Sequence, residues 1–121
     1  MYQNRVTLIG FLGKDAEVRT TKSQTAFTVL SLATKRSWKD RQSGERQSQT
    51  TWHRCIVWGK LGEFAATLGK GAHVQIEGEI RIREYTQKTA GKQSSDIKKS
   101  ITEVRATSIT KLDRPAKEGT A

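Results

Sequence analysis

Apolar and polar residues alternate along most of this chain, and the alternation changes period only once. Arg5–Leu12 (RVTLIGFL) is rich in β-branched and aromatic residues and predicts a strand, with Gly10 and Gly13 as bulges or points of close approach. Ala16–Thr20 continues it after a bend at Lys14–Asp15. Ala26–Arg36 (AFTVLSLATKR) predicts a second strand. Arg41–Gln49 (RQSGERQSQ) is polar around Gly44 and predicts a loop. Thr50–Leu61 (TTWHRCIVWGKL) supplies the third strand. In Lys60–Leu68, Leu61, Phe64, Ala65 and Leu68 fall at i, i+3, i+4 and i+7, the stripe of a short amphipathic helix, which Gly69 and Gly71 stop. Val74–Tyr85 returns to period two. Val74, Ile76, Ile80 and Ile82 occupy one face, and Gln75, Glu77, Glu79, Arg81, Arg83 and Tyr85 the other. Thr86–Ser100 is polar and predicts a mobile hairpin loop, Ile101–Leu112 a last strand, and residues 113–121 a short disordered end.

Three strands, one short helix and two further strands predict an all-β chain with one short helix, a five-stranded OB-fold barrel plugged by the helix between the third and fourth strands. A looser α+β sheet is the competing arrangement. The chain of 121 residues is long enough for one domain with a real core, spanning residues 1–112, and no internal repeat is visible.

Charge narrows the partner. Lys and Arg number 22 against 12 Asp and Glu, a net charge of +10, which favours a polyanion: nucleic acid or an anionic membrane surface. One cysteine, Cys55, excludes an internal disulfide and a multi-cysteine metal site, and with His53 and His73 makes a poor ligand set, so neither metal nor cofactor is expected. The composition reads as reduced and cytoplasmic. No apolar run of membrane-spanning length is present, and neither a signal peptide nor membrane association is expected.

The chemistry lies on the strand faces. Trp52, Arg54, Ile56 and Trp58 share one face of the third strand, and His53, Cys55 and Val57 the other. Cys55 and Val57 suit a core. The Trp/Arg face reads either as partly buried core, the commoner fate of a lone tryptophan, or as a platform on which unpaired bases stack while arginine meets phosphate. Trp38, flanked by Lys35, Arg36, Lys39 and Arg41, and Tyr85, beside Arg81 and Arg83, repeat the pairing. Three such segments among three Trp, two Tyr and three Phe favour the platform. Duplex DNA hides its base faces, so such a platform selects single strands. His53 and Cys55, at i and i+2, stand roughly 7 Å apart at strand rise, beyond the reach of a thiol–imidazole nucleophile. Gly59–Lys60 lacks the spacing of a phosphate loop.

The segments NRVTLIGFLGKDAEVR, FTVLSLAT, SWKDRQSGERQSQTTWHRCIVWGKLGEFA and GKGAHVQIEGEIRIREY together resemble the bacterial single-stranded DNA-binding protein family over about residues 1–112. The resemblance implies an OB-fold homotetramer that binds and protects single-stranded DNA, largely without sequence preference, in replication, recombination and repair, without catalysis. It implies base-stacking roles for Trp38, Trp52, Trp58 and Tyr85. Basic groups along the DNA path would be Arg41, Arg54, Lys60, Lys70, Arg81 and Arg83, and Arg5, His53 and Glu77 would stand at a subunit interface. Better-known members carry phenylalanine at the place of Trp58, tryptophan at that of Tyr85, and often a basic residue at that of Glu84. The family's long linker and acidic, phenylalanine-tipped tail do not follow residue 112. The chain therefore reads as a shortened form or a short natural one, chromosomal, plasmid- or phage-borne, and tail-dependent partner proteins are not expected. A related OB module that binds RNA or assembles as a dimer, and a small nuclease, are the rival readings.

Overall fold

The computed structural model describes residues 1–88 and 96–113. Its strands are β1 (Val6–Leu12), β2 (Glu17–Thr20), β3 (Ala26–Lys39), β4 (Arg46–Trp58), β5 (His73–Lys88) and β6 (Asp96–Lys111), with one helix, α1 (Gly59–Ala65), between β4 and β5. They form one sheet in the order β1-β5-β6-β4-β3-β2. A β1–β3 pairing, Phe11↔Ala33 and Leu12↔Leu32, closes it into a barrel. β1 and β2 are two halves of one strand bent at residues 13–16, both pairing with β3, so the barrel is the expected five-stranded OB-fold. Closure draws two backbones together at Gly10, where any Cβ would run into the Ala33 carbonyl. β4 and β6 meet in parallel, Cys55↔Val104 and Ile56↔Arg105.

Period-two residues fill the interior: Leu12 from β1, Leu30 and Leu32 from β3, Cys55 and Val57 from β4, Val74 and Ile76 from β5, and Val104 and Ala106 from β6. Ala65 and Leu68 close one end from α1 and the turn after it. The buried Thr28 hydroxyl donates to the Gly62 carbonyl at 2.7 Å and ties β3 to the helix.

Several sequence expectations change. The helix ends at Ala65, short of Leu68, because Thr67 and Leu68 donate to Phe64 and Ala65, three residues back, and tighten the last turn. Phe64 of the predicted stripe is exposed. The polar loop at 41–49 shrinks to a turn between Asp40 and Glu45, built on two backbone bonds and on an Asp40 carboxylate that accepts from Gln42 N–H and the Ser43 hydroxyl. The rest of that segment is strand, exposed on both sides and so without alternation to betray it. Likewise, the predicted loop at 86–100 is strand through Lys88 and again from Asp96, while residues 89–95 and the disordered end expected beyond residue 113 lie outside the described residues. Ile80 and Ile82 share a face with Val74 and Ile76 but are exposed, because β5 there has run past the end of its pairing with β1 at Val6↔Gly78.

Candidate nucleic-acid interface

The hydrogen-bond register assembles an open groove on the outer wall of the barrel. β4 contributes Arg54, Ile56 and Trp58 from alternate positions, and β3 brings Phe27 directly opposite Trp58. The two rings meet at 4.8 Å between centroids, tilted by 35°. β6 adds Glu103 and Arg105, β5 adds Arg81, Ile82 and Arg83, and Arg19, Thr20 and Thr21 from β2 and the residue after it form the far wall. The groove encloses about 900 Å³. Five arginines and one carboxylate line it, so its field is strongly positive.

Glu103 is only 7% exposed. Its Oε2 accepts from Arg54 Nε at 2.7 Å, and Arg83 bonds it through Nε and a terminal nitrogen at 3.3 Å each. Burial pushes this carboxyl's pKa up. The hydrogen bonds from Arg83 and Arg54 outweigh it and hold the group below the ordinary glutamate value. The parallel β4–β6 pairing makes the contact, since Arg54 and Glu103 each precede the facing pair Cys55↔Val104 by one residue. Arg81 stands across from Glu103 on β5 but pairs along its own strand with Glu79 at 3.1 Å.

The groove therefore gathers Trp58, Arg54, Arg81 and Arg83 of the expected residues. Trp52 continues the same face of β4 and is 62% exposed, with its ring lying over Gly13, where a Cβ would collide with it. Tyr85 is exposed and shares the face of Arg81 and Arg83 further along the β5–β6 arm. Trp38 is also exposed, on the β3–β4 arm, with the Arg36 guanidinium 5.4 Å from its ring centroid. The unshifted β3–β4 ladder pairs Trp52 with Ala33 and Trp38 with Gln47, which puts the two tryptophans on opposite pleats. Trp38 thus faces away from the side of the sheet that Trp52 and Trp58 share. Arg41 in the β3–β4 turn, Lys60 at the start of α1 and Lys70 in the turn after it are exposed and lie outside the groove. The Lys70 backbone N–H donates to Asp15 at 2.8 Å.

Of the residues expected at a subunit interface, Arg5 and Glu77 form an ion pair within one chain at 2.8 Å. His53 Nε2 lies 2.8 Å from the Thr34 hydroxyl, and burial lowers its pKa. Cys55 is fully buried, and burial pushes its thiol up to about 12, so it is no nucleophile.

Sequence reasoning missed Phe27, Glu103, Arg105 and Arg19. The Glu103/Arg105 alternation on the last strand was a visible signal; the facing of Phe27 and Trp58 depends on register.

The sequence model of the Single-strand binding protein family matches residues 3–112. Among solved structures, the chain is similar to a Plasmodium falciparum SSB in complex with ssDNA, at 27% identity and a TM-score of 0.74, over 93% of this chain and 97% of that one. It is also similar to a deletion mutant of the single-stranded DNA binding protein from Thermus aquaticus, at 28% identity and a TM-score of 0.70, covering 92% of this chain and 51% of that one. With its OB barrel, its arginine-lined groove and a match over nearly the whole described length, this chain belongs to the Single-strand binding protein family.

Proposed function

We propose that the protein binds and protects single-stranded DNA by stacking bases on its exposed rings and meeting phosphates with its arginines. The observation that carries the reading is the groove in which the Phe27–Trp58 pair lies among five arginines. Unstacked bases present π-faces to such rings whatever their identity, so binding is largely indifferent to sequence. Trp58, Arg54, Arg81 and Arg83 form the central station, and Trp52, Tyr85 and Trp38 extend the path outward along β4 and the two arms. Arg41, Lys60 and Lys70 supply charge beside that path. The protein acts by binding, not catalysis, in replication, recombination and repair. Its site is the bacterial cytoplasm at the nucleoid.

The working unit in this reading is a homotetramer, in which His53 and the Arg5–Glu77 pair lie at contacts between subunits. Titration with oligo-dT tests the binding. Intrinsic tryptophan fluorescence falls, and log affinity declines against log salt with a slope of about −0.7 per phosphate neutralised. Unchanged emission at saturating oligo-dT would reject stacking. Native mass spectrometry with and without the oligonucleotide reads the subunit count, and a monomer or dimer in both would reject the tetramer.

A further inference from the structure

Among the described residues, one acid lines the groove, and it sits at the worst place for an anion-binding surface, between two of the arginines that would meet phosphate. By Coulomb's law alone this carboxylate repels nucleic acid. Geometry gives it a different effect. Glu103 is held in β6 opposite Arg81 of β5, one residue before the β4 pairing at Val104, with its carboxylate almost out of solvent and both oxygens engaged. Arg54 spends only its Nε–H on it. Among the described residues, the terminal nitrogens of Arg54 have no hydrogen-bond partner. Arg83 approaches edge-on through Nε and one terminal nitrogen, leaving its opposite edge for another acceptor. A long arginine side chain normally loses its rotamer freedom when it meets a phosphate. Here that loss is largely incurred on folding.

We propose that Glu103 is a positioning residue for DNA binding: its buried carboxylate holds Arg54 and Arg83 at fixed orientation in the groove, and this preorganisation outweighs its repulsion of the phosphates. The inference rests on the groove being the DNA site. It inverts the electrostatic expectation, because removing a negative charge from the groove should weaken binding.

The test is Glu103→Gln in the full chain, which keeps the size of the side chain but loses the charged two-oxygen clamp. Affinity for labelled oligo-dT is read by fluorescence anisotropy over a salt series, with circular dichroism to confirm folding. The expected result is about tenfold weaker binding, equivalent to about 1.4 kcal/mol, with a salt slope shallower by about 0.7 for each phosphate no longer neutralised. In a chain already carrying Arg54→Ala and Arg83→Ala, the same substitution should leave binding unchanged or tighten it, since no arginine remains to be positioned. A residue that only supports the fold would weaken binding in both backgrounds. Tighter or unchanged binding by Glu103→Gln in the otherwise native chain overturns the inference. Should that variant fail to fold, Glu103→Asp keeps the charge but is too short to span both arginines. Weaker binding by it supports the proposal, and native affinity overturns it. Failure of the unaltered protein to bind oligo-dT would instead defeat the reading of the groove itself.

Discussion

Replacing Trp52 with alanine separates the proposed DNA role of this ring from its structural one. Trp52 is 62% exposed, so about 38% of it is covered. A large aromatic side chain presents up to roughly 250 Å². The covered part is then roughly 95 Å², worth at most about 2.4 kcal/mol of stability at about 25 cal/mol per Å². Part of that cover is backbone and Cβ, which the alanine retains, so the folding cost should fall below this limit. The binding cost is set by stacking, which across single-strand-binding proteins of this kind is about 1–3 kcal/mol per base by alanine substitution. At about 1.4 kcal/mol per factor of ten, Trp52→Ala should raise the Kd roughly five- to 150-fold per stacked base. The substitution removes a fluorophore, so the assay is anisotropy of end-labelled oligo-dT at fixed salt, beside a urea unfolding curve. A Kd within twofold of native, in protein that unfolds cooperatively, would refute the assignment of Trp52 to the DNA path.

The remaining predictions concern the surroundings of the site. Gly13→Ala drives a Cβ into the Trp52 ring, which can swing outward because it is mostly exposed; stability should change little while affinity falls part of the way toward that of Trp52→Ala, and native affinity would show that the ring's position is immaterial. Acid should destabilise the fold in two stages, seen in urea unfolding across pH. His53 is held below its unfolded value of about 6.5, so its stabilisation is full above that pH and is lost as pH falls through the folded value. Glu103 is held below about 4.3, so its contribution is present above that pH and disappears as pH drops through its lower folded value. Glu103→Gln should remove only the second stage; a persisting second stage would assign it to other carboxylates. Cys55, with its thiol pushed up to about 12, should resist aromatic-disulfide labelling at mildly alkaline pH until the protein unfolds, and fast labelling of native protein would contradict its burial.

Much of this protein was legible without coordinates, because the relevant signals are local. Alternation along β4 separates Cys55 and Val57 from Trp52, Arg54, Ile56 and Trp58 whatever the fold, since strand geometry alone sends neighbours to opposite faces. The single change of period marked α1, and the positive charge beside the aromatics marked the kind of partner. Sequence pattern could not say which strands would become neighbours. Residues 41–49 and 86–100 look like loops in sequence, although strands occupy much of the described part of each, because their largely polar residues leave no period to detect. Trp38 and Trp52 both read as stacking residues, yet the paired strands put them on opposite pleats. Phe27 meets Trp58 through the β3–β4 register, and Glu103 reaches Arg54 across 49 residues through a parallel pairing of two facing pairs. Such contacts depend on how a barrel closes. That outcome follows from the sum of backbone pairing and core packing over the whole chain, so no segment of sequence carries it alone.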